Sequence, residues 1–388
     1  MKSDYIYLDY NASAPIDPEV NQKVFLVNAL EGNPSSSHNF GLALKNQVDE
    51  SIQTMKSYFN TPLKNSNVLS EIIFTSGATE SINMVFNSIA SLHPKGHIIT
   101  VKTEHTVVLS CCENLKKEGF EVSYLSVNEN GEISLEELEK SIKPNTCLIS
   151  MMWVNNETGL IHPIEEVAKI AKRNKVLFMV DGTQAVGKVD INLSDTPIDY
   201  FVCSAHKIYG PKGIGLVYQN IASLEPTKIL KPLIDGGGQQ NNQRGGTLNT
   251  SGIVGFSKAV ELLKTHTDEK ERIKYLRDYF ENELLAIDGV SVNGSKLHRV
   301  YNTTNLHFNG VETETLISAC KFLAFSQGSA CSSKKKSHVL KAMGYSNQHI
   351  SRSVRISIGR FTTEKEIKTS IELIASNYKR LKNNNFTI

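Results

Sequence analysis

The sequence predicts an α/β fold: a large unit with a mostly parallel central sheet sandwiched by helices, followed by a smaller α+β unit. Three observations predict it. Short apolar runs rich in Val, Ile and Phe, such as 176–180 and 200–203, stop abruptly at polar residues and read as strands buried on both faces. Strand and helix patterns then alternate from residue 71 to about residue 218, as a parallel sheet requires. Beyond the Gly- and amide-rich stretch DGGGQQNNQRGGT (235–247) the pattern changes to a long helical region and shorter strands.

Taken in order, residues 5–8 are a short extended start before the turn-rich DYNASAP. Residues 17–30 read as a helix with Pro18 in its first turn, where a missing N–H costs nothing. GNPSSSH (32–38) is a loop, and 40–59 is helical by its three- and four-residue apolar spacing. Strand 71–75, turn SGATES and helix 82–90 follow, then strands at 97–101 and 121–125. Ser134 and Glu137 form a capping box on a short helix. Strand 147–154 ends in Asn155 and Asn156, helix 164–173 leads to strand 176–180, and strand 213–218 returns from the 200–203 run. A helical region is expected over 251–286, short strands over 290–292, 304–308 and 354–358, and a last helix, capped by Thr363 and Glu366, to about Leu381. The domains expected are 15–254 for the large unit, and 1–14 with 255–388 for the small one.

The chain has 388 residues, enough for one large core and a smaller one. A formal charge of +2 gives no reason to expect nucleic acid or membrane as a bulk electrostatic partner. No apolar run reaches the roughly 20 residues of a membrane span, and the first residues lack a secretory pattern. Six cysteines without paired spacing make no disulfide framework, so a reducing cytoplasm is expected.

In open α/β sheets ligands bind at the carboxyl ends of strands, and here five strands deliver polar groups at those ends. SGATES opens a helix whose free N–H groups suit a phosphate, or forms a plain cap. His105 follows the next strand as a cap, a core residue or a functional group. Asn155 and Asn156 follow another. Asp181 ends a buried run; a cation at about 3 Å would attract it by roughly 5 kcal/mol at an effective dielectric of 20. That cation is either a pyridinium nitrogen or an ordinary Arg or Lys. Lys207 follows Ser204 and His206, with Lys212 competing nearby. An acid at one strand end and a lysine at another are what a pyridoxal phosphate site needs: the lysine forms a Schiff base with the aldehyde and the acid pairs with the ring nitrogen. Downstream, QGSACSSKKK (327–336) carries Cys331 on a loop of small residues, whose thiol is only about 3% ionised at pH 7 without help. Arg355, in the alternating SVRISIG, suits a substrate carboxylate or a surface salt bridge.

The motifs LDYNASAP, FTSGATES, TEH, VNNETG, VDGTQAVGK, SAHKIYGPKGIG, RGGT, GSACSS and RISIGRFTT stand in the order found in cysteine desulfurases. The chain resembles the NifS/IscS-like branch of the fold-type I pyridoxal phosphate-dependent transferases from residue 7 to about 381. The resemblance implies that Lys207 holds pyridoxal 5'-phosphate, His105 stacks on the ring and moves protons, Asp181 pairs with the pyridine nitrogen, and Gln184 reaches the ring oxygen. It implies that Ala78, Thr79, Ser204 and His206 hold the phosphate, and that Thr247 reaches the phosphate of a partner subunit in a homodimer. Asn155 and Arg355 would bind the carboxylate of L-cysteine, and Cys331, in the loop of about 325–336, would accept the sulfur as a persulfide. The sulfur would pass to an acceptor protein of iron–sulfur assembly or RNA thiolation; a DNA phosphorothioation enzyme and a selenocysteine lyase are the alternatives. Two departures stand out. Gly182 replaces the usual small residue with a methyl, which predicts slight loosening near the ring. The segment after Cys331 is about two residues shorter than the family's common form, and basic.

Overall fold

The computed structural model describes residues 5–62, 71–327 and 336–384. The strands are β1 (Ile6–Tyr7), β2 (Ile72–Thr75), β3 (His97–Val101), β4 (Glu121–Leu125), β5 (Thr146–Met152), β6 (Leu177–Asp181), β7 (Tyr200–Ser204), β8 (Gly215–Gln219), β9 (Val290–Val292), β10 (Thr303–Phe308), β11 (Leu323–Ala324) and β12 (Ser353–Ser357). The helices are α1 (Pro18–Asn28), α2 (Asn39–Phe59), α3 (Ala78–Leu92), α4 (Thr106–Lys117), α5 (Leu135–Ser141), α6 (Ile164–Arg173), α7 (Gln239–Asn242), α8 (Thr250–Thr265), α9 (Glu269–Leu285), α10 (Thr313–Ala319), α11 (His338–Ala342), α12 (Asn347–Ile350) and α13 (Glu364–Asn384).

Seven strands form one sheet in the order β2-β8-β7-β6-β5-β3-β4. Only β8 runs against its neighbours, so β2, β3, β5, β6 and β7 all end at the same edge. The continuous apolar runs do what their composition predicts: every residue of β2, β3, β6, β7 and β8 is buried. One face carries Phe178, Val180 and Phe201, with α2, α6 and α8 packed on it; the other carries Met179, Tyr200 and Val202, with α3 and α4. At the sheet's edge the amide of Gln240 pairs with the backbone of Phe74 (2.7 and 2.9 Å), occupying ladder positions that a neighbouring strand would fill.

The helical region expected over 251–286 is two helices, broken at His266. Ile253, Phe256 and Val260 of α8 belong to the sheet's core, whereas Ile273, Leu276 and Phe280 of α9 belong to a second core with Leu8, the β12-β10-β9 sheet and α13. Helix starts follow the expected chemistry. Thr363 and Glu366 form a reciprocal capping box (3.2 and 2.7 Å). Ser134 caps α5, but Glu137 turns instead to the backbone N–H of Ser126.

Two glycines are fixed by close approach. A Cβ on Gly215 would lie 2.6 Å from the Cα of Gly77, so its absence lets the SGATES turn sit on β8 beside Ser204. A Cβ on Gly182 would lie 2.0 Å from Cζ of Phe201, a fully buried ring. The space of the missing methyl is therefore filled by Phe201, and the loosening expected at this position is absent. Gly182→Ala should destabilise the fold by about 1–3 kcal/mol through overpacking, measured as a lower denaturation midpoint with an unchanged slope.

Candidate active site

The strand ends and the N-terminal segment enclose a cavity of about 450 Å³. Its wall contains Lys207, Asp181, Gln184, His105, Ser204, His206, Ala78, Thr79, Asn156 and Arg355. The ends of the seven-stranded sheet, with Arg355 from β12 of the smaller sheet, thus gather residues spread over 78–355 of the sequence.

Asp181 ends β6 and is 7% exposed. Its Oδ1 accepts from the Thr183 N–H at 2.9 Å, and among the described residues no Lys, Arg or His forms an ion pair with it. The protein itself therefore does not supply the ordinary partner, an Arg or Lys. A buried carboxylate on a cavity wall without a protein cation fits a guest that brings one. Lys207 sits on the turn after β7, partly buried, and donates to the carbonyl oxygens of Asn11 and Ala12, both at 2.7 Å. Lys212 also reaches the cavity wall but is exposed.

His105 caps α4: its Nδ1 accepts from the Val107 N–H at 3.3 Å, so the neutral ring carries its proton on Nε2. Burial lowers its pKa, the charge of Asp181 opposes that shift, and Lys207 and His338 add to it. Beneath it Glu104 is fully buried. Its Oε1 accepts from the Met152 N–H at 2.5 Å, and burial together with the charge of Asp181 raises its carboxyl well above the usual range. Glu104 closes the gap where β3 has ended and β5 continues.

At the other end of the cavity, Ser204 Oγ accepts from the Ala78 N–H at 2.7 Å and so joins β7 to the first turn of α3. Glu80 in that turn pairs with Arg244 of the RGGT motif (2.9 Å) and accepts from the Ser76 N–H (2.8 Å), contacts that lower its pKa against burial. These residues fit pyridoxal phosphate: an amine for its aldehyde, a lone buried carboxylate for its pyridinium, and a 15-residue helix start with Ser204 and His206 for its phosphate. Thr247 is exposed and lies off the cavity wall.

Of the expected substrate residues, Arg355 lines the cavity at 1% exposure. It makes a buried ion pair with Asp9 (2.6 Å) and donates to Ser326 Oγ (3.0 Å) and the Asn156 carbonyl (3.1 Å), so the surface salt bridge is excluded. The structure does not place Asn155 on the wall. Its amide is consumed by the loop that follows, accepting from the N–H groups of Glu157 and Thr158 (2.9 and 3.0 Å) and donating to the Thr103 carbonyl (3.0 Å). Asn156 lines the cavity instead. Adjacent asparagines after a strand point to opposite sides, and sequence alone does not say which side is the ligand's. Cys331 lies outside the described residues. Sequence reasoning missed Glu104, although it stands inside TEH, and Asn11, read only as part of a turn.

The profile of the family described as Aminotransferase class-V matches residues 6–369. The chain is 42% identical to the cysteine desulfurase IscS of Mannheimia succiniciproducens over 386 residues, 97% of this chain and 93% of that one. Among solved structures it is similar to a NifS-like protein, with a TM-score of 0.87 at 31% identity over 97% of this chain and 99% of the other. It is also similar to SspA in complex with cysteine, with a TM-score of 0.80 at 34% identity over 92% and 99%.

His206, whose Nδ1 meets Ser13 Oγ at 3.2 Å, is pushed down to about 4 by burial and by the cations Lys207 and Lys212. His162 and His307 are also pushed down to about 4, chiefly by burial. Between pH 6.5 and 4 the unfolded chain binds protons that these rings refuse, so stability should fall as pH falls through that window. Urea denaturation at half-unit steps should show this decline, and His206→Asn should make it shallower.

Proposed function

This chain belongs to the Aminotransferase class-V family, and from that premise we propose that it is a cysteine desulfurase that uses pyridoxal phosphate to move sulfur from L-cysteine to Cys331. The observation that carries this reading is the pairing of Lys207 and Arg355 on one cavity wall. They supply an amine for the cofactor and a buried guanidinium for an amino-acid carboxylate. The bound cofactor would supply an electron sink for the substrate's carbon framework. Asp181 would hold its ring nitrogen protonated, Gln184 would donate to its ring oxygen, and His105 would cover the ring. Ala78, Thr79, Ser204 and His206 would hold its phosphate. Lys207 would move protons at the substrate carbons, and the Asn156 side of the 155–156 pair would face the substrate.

The choice of sulfur transfer over amino transfer rests on Cys331. Both described flanks of its segment are tied beside the cavity: Ser326 accepts from Arg355 at 3.0 Å, and His338 Nε2 donates to the Glu104 carbonyl at 2.8 Å. Cys331 stands five residues from Ser326, within about 18 Å of extended chain. Its thiolate would take the substrate's sulfur as a persulfide. The carbon–sulfur bond electrons would stay with the carbon fragment, which is protonated and leaves as L-alanine. A homodimer is supported by Phe25, Leu26 and Phe40, which are 72, 54 and 61% exposed on α1 and α2, and by exposed Thr247, free to reach a partner's phosphate. The large and small units would divide at the α8–α9 turn, where core membership changes. We place the enzyme in the cytoplasm, where its five described cysteines would stay unpaired as they are here, with an iron–sulfur or RNA-thiolation protein as acceptor.

Wild-type protein mixed with pyridoxal phosphate should turn yellow, and Lys207→Ala should lose the visible absorbance. Cys331→Ser should keep the colour yet release sulfide from L-cysteine only at background. Mass spectrometry after L-cysteine should find one added sulfur on Cys331; a wild type that binds the cofactor and never gains it would overturn the reading.

A further inference from the structure

Lys188 lies four residues beyond Gln184, on the turn after β6. Its ammonium donates to Gln184 Oε1 at 2.5 Å and is 3.4 Å from Asn11 Oδ1. Among the described residues no carboxylate forms an ion pair with it, and the charges nearest it are cations, Lys207 and Arg355. Burial and those two cations push its pKa down to about 7. A sheltered ammonium with no counter-charge is a cost to the fold, and removing a charge of this kind commonly leaves a protein as stable or more so. The fold therefore does not explain why a lysine stands here.

Gln184 does. A glutamine amide on a cavity wall has two orientations, one offering N–H groups and the other offering its oxygen. A protonated Lys188 is a donor only, so in that state its contact fixes which atom faces which way. Oε1 points back toward Lys188, and one Nε2 hydrogen goes to the Asn11 carbonyl at 2.9 Å. The other Nε2 hydrogen remains for the cavity that Gln184 lines. With the amide reversed, its oxygen would face the anionic ring oxygen of pyridoxal phosphate and repel it.

We propose that Lys188 is a positioning residue for the cofactor: it locks the Gln184 amide with an N–H toward the cofactor's ring oxygen and brings to that oxygen a positive charge that no other part of the wall neutralises. The inference rests on the cofactor reading above and reaches a residue that never touches the cofactor. Its asymmetry with Asp181 is informative. Asp181 on the wall and Lys188 behind Gln184 each form no ion pair among the described residues, matching a guest with a cationic nitrogen and an anionic oxygen on the same ring.

The test is a double-mutant cycle read by cofactor binding. Lys188→Met, Gln184→Ala and the double variant are prepared as apo-protein and titrated with pyridoxal phosphate, following affinity and the absorption maximum. Lys188→Met should melt no lower than wild type, since it loses a buried charge, yet bind the cofactor about tenfold more weakly with a displaced absorption maximum. The double variant should bind no worse than Gln184→Ala alone, because Lys188 acts through that amide. Wild-type affinity and spectrum in Lys188→Met would overturn the proposal, as would additive losses in the double variant. Failure of the desulfurase reading shows separately, as a cofactor-loaded wild type without persulfide on Cys331.

Discussion

Asn11 ties the chain together. Its N–H donates to Ser357 of β12 at 2.8 Å, and its amide donates to Thr303 of β10 at 2.9 Å and to the Asn156 carbonyl at 3.2 Å. Its own carbonyl accepts from Lys207 at 2.7 Å and Gln184 at 2.9 Å. One residue thus connects the small antiparallel sheet, the loop after β5 and the two cavity groups on the turns after β6 and β7. The segment continues this role: the Ala14 N–H donates to the His206 carbonyl, and Leu8 is buried in the second core. The N-terminal strap lies between the two cores because its backbone pairs both with the turn bearing Lys207 and with Ser357 of the far sheet.

The cavity is built from charges that the protein leaves uncompensated. Among the described residues Asp181 forms no ion pair with a cation and Lys188 none with an anion, whereas Arg355 is matched by Asp9 and Glu80 by Arg244. Burial and the charge of Asp181 both disfavour a second negative charge on Glu104. The pairs that are complete hold the frame: Asp9 fixes β12 against the strap, and Arg244 fixes the loop across β2. Asp181 lines the cavity, and Lys188 stands behind it through Gln184. In a low-dielectric site a guest that completes both is held far more strongly than either charge would hold it in water, and one that completes neither is refused.

Much of this was legible in the sequence, for a definite reason. A strand buried on both faces is an unbroken apolar run, and the polar residue that ends it marks the sheet's ligand-binding edge without reference to distant contacts. Asp181, His105 and Lys207 were found that way. What was not legible depends on contacts between segments far apart. The ring of Phe201 that fills the space beside Gly182 is invisible until β6 and β7 pair. The orientation of Asn155 into its own loop depends on the N–H groups of Glu157 and Thr158, so adjacent asparagines could not be told apart. The division between α8 and α9 was hidden because both carry helical spacing, and only the faces they bury separate them. Lys188 was quoted within VDGTQAVGK but had no reading, since an i,i+4 contact to Gln184 means nothing until Gln184 is on a wall.

The segment that carries Cys331 stands far from the cofactor residues in sequence, yet the two share their supports. Ser337 donates to Glu157 at 2.5 Å, and Glu157, raised in pKa by burial, sits directly after Asn156. His338 meets the carbonyl of Glu104, directly before His105. Ser326 meets Arg355. These three ties of the segment's described flanks go to a cavity residue or to the immediate chain neighbour of one. A change that shifts β3 or β5 at its carboxyl end would move His105 or Asn156 and the start of α11 together. A reaction in which a substrate is held by one set of groups and attacked by a thiol from elsewhere in the chain requires the two to keep register. Anchoring both on Glu104 and Glu157 achieves that with two buried acids whose pKa burial raises, which disfavours further negative charge beside the cavity.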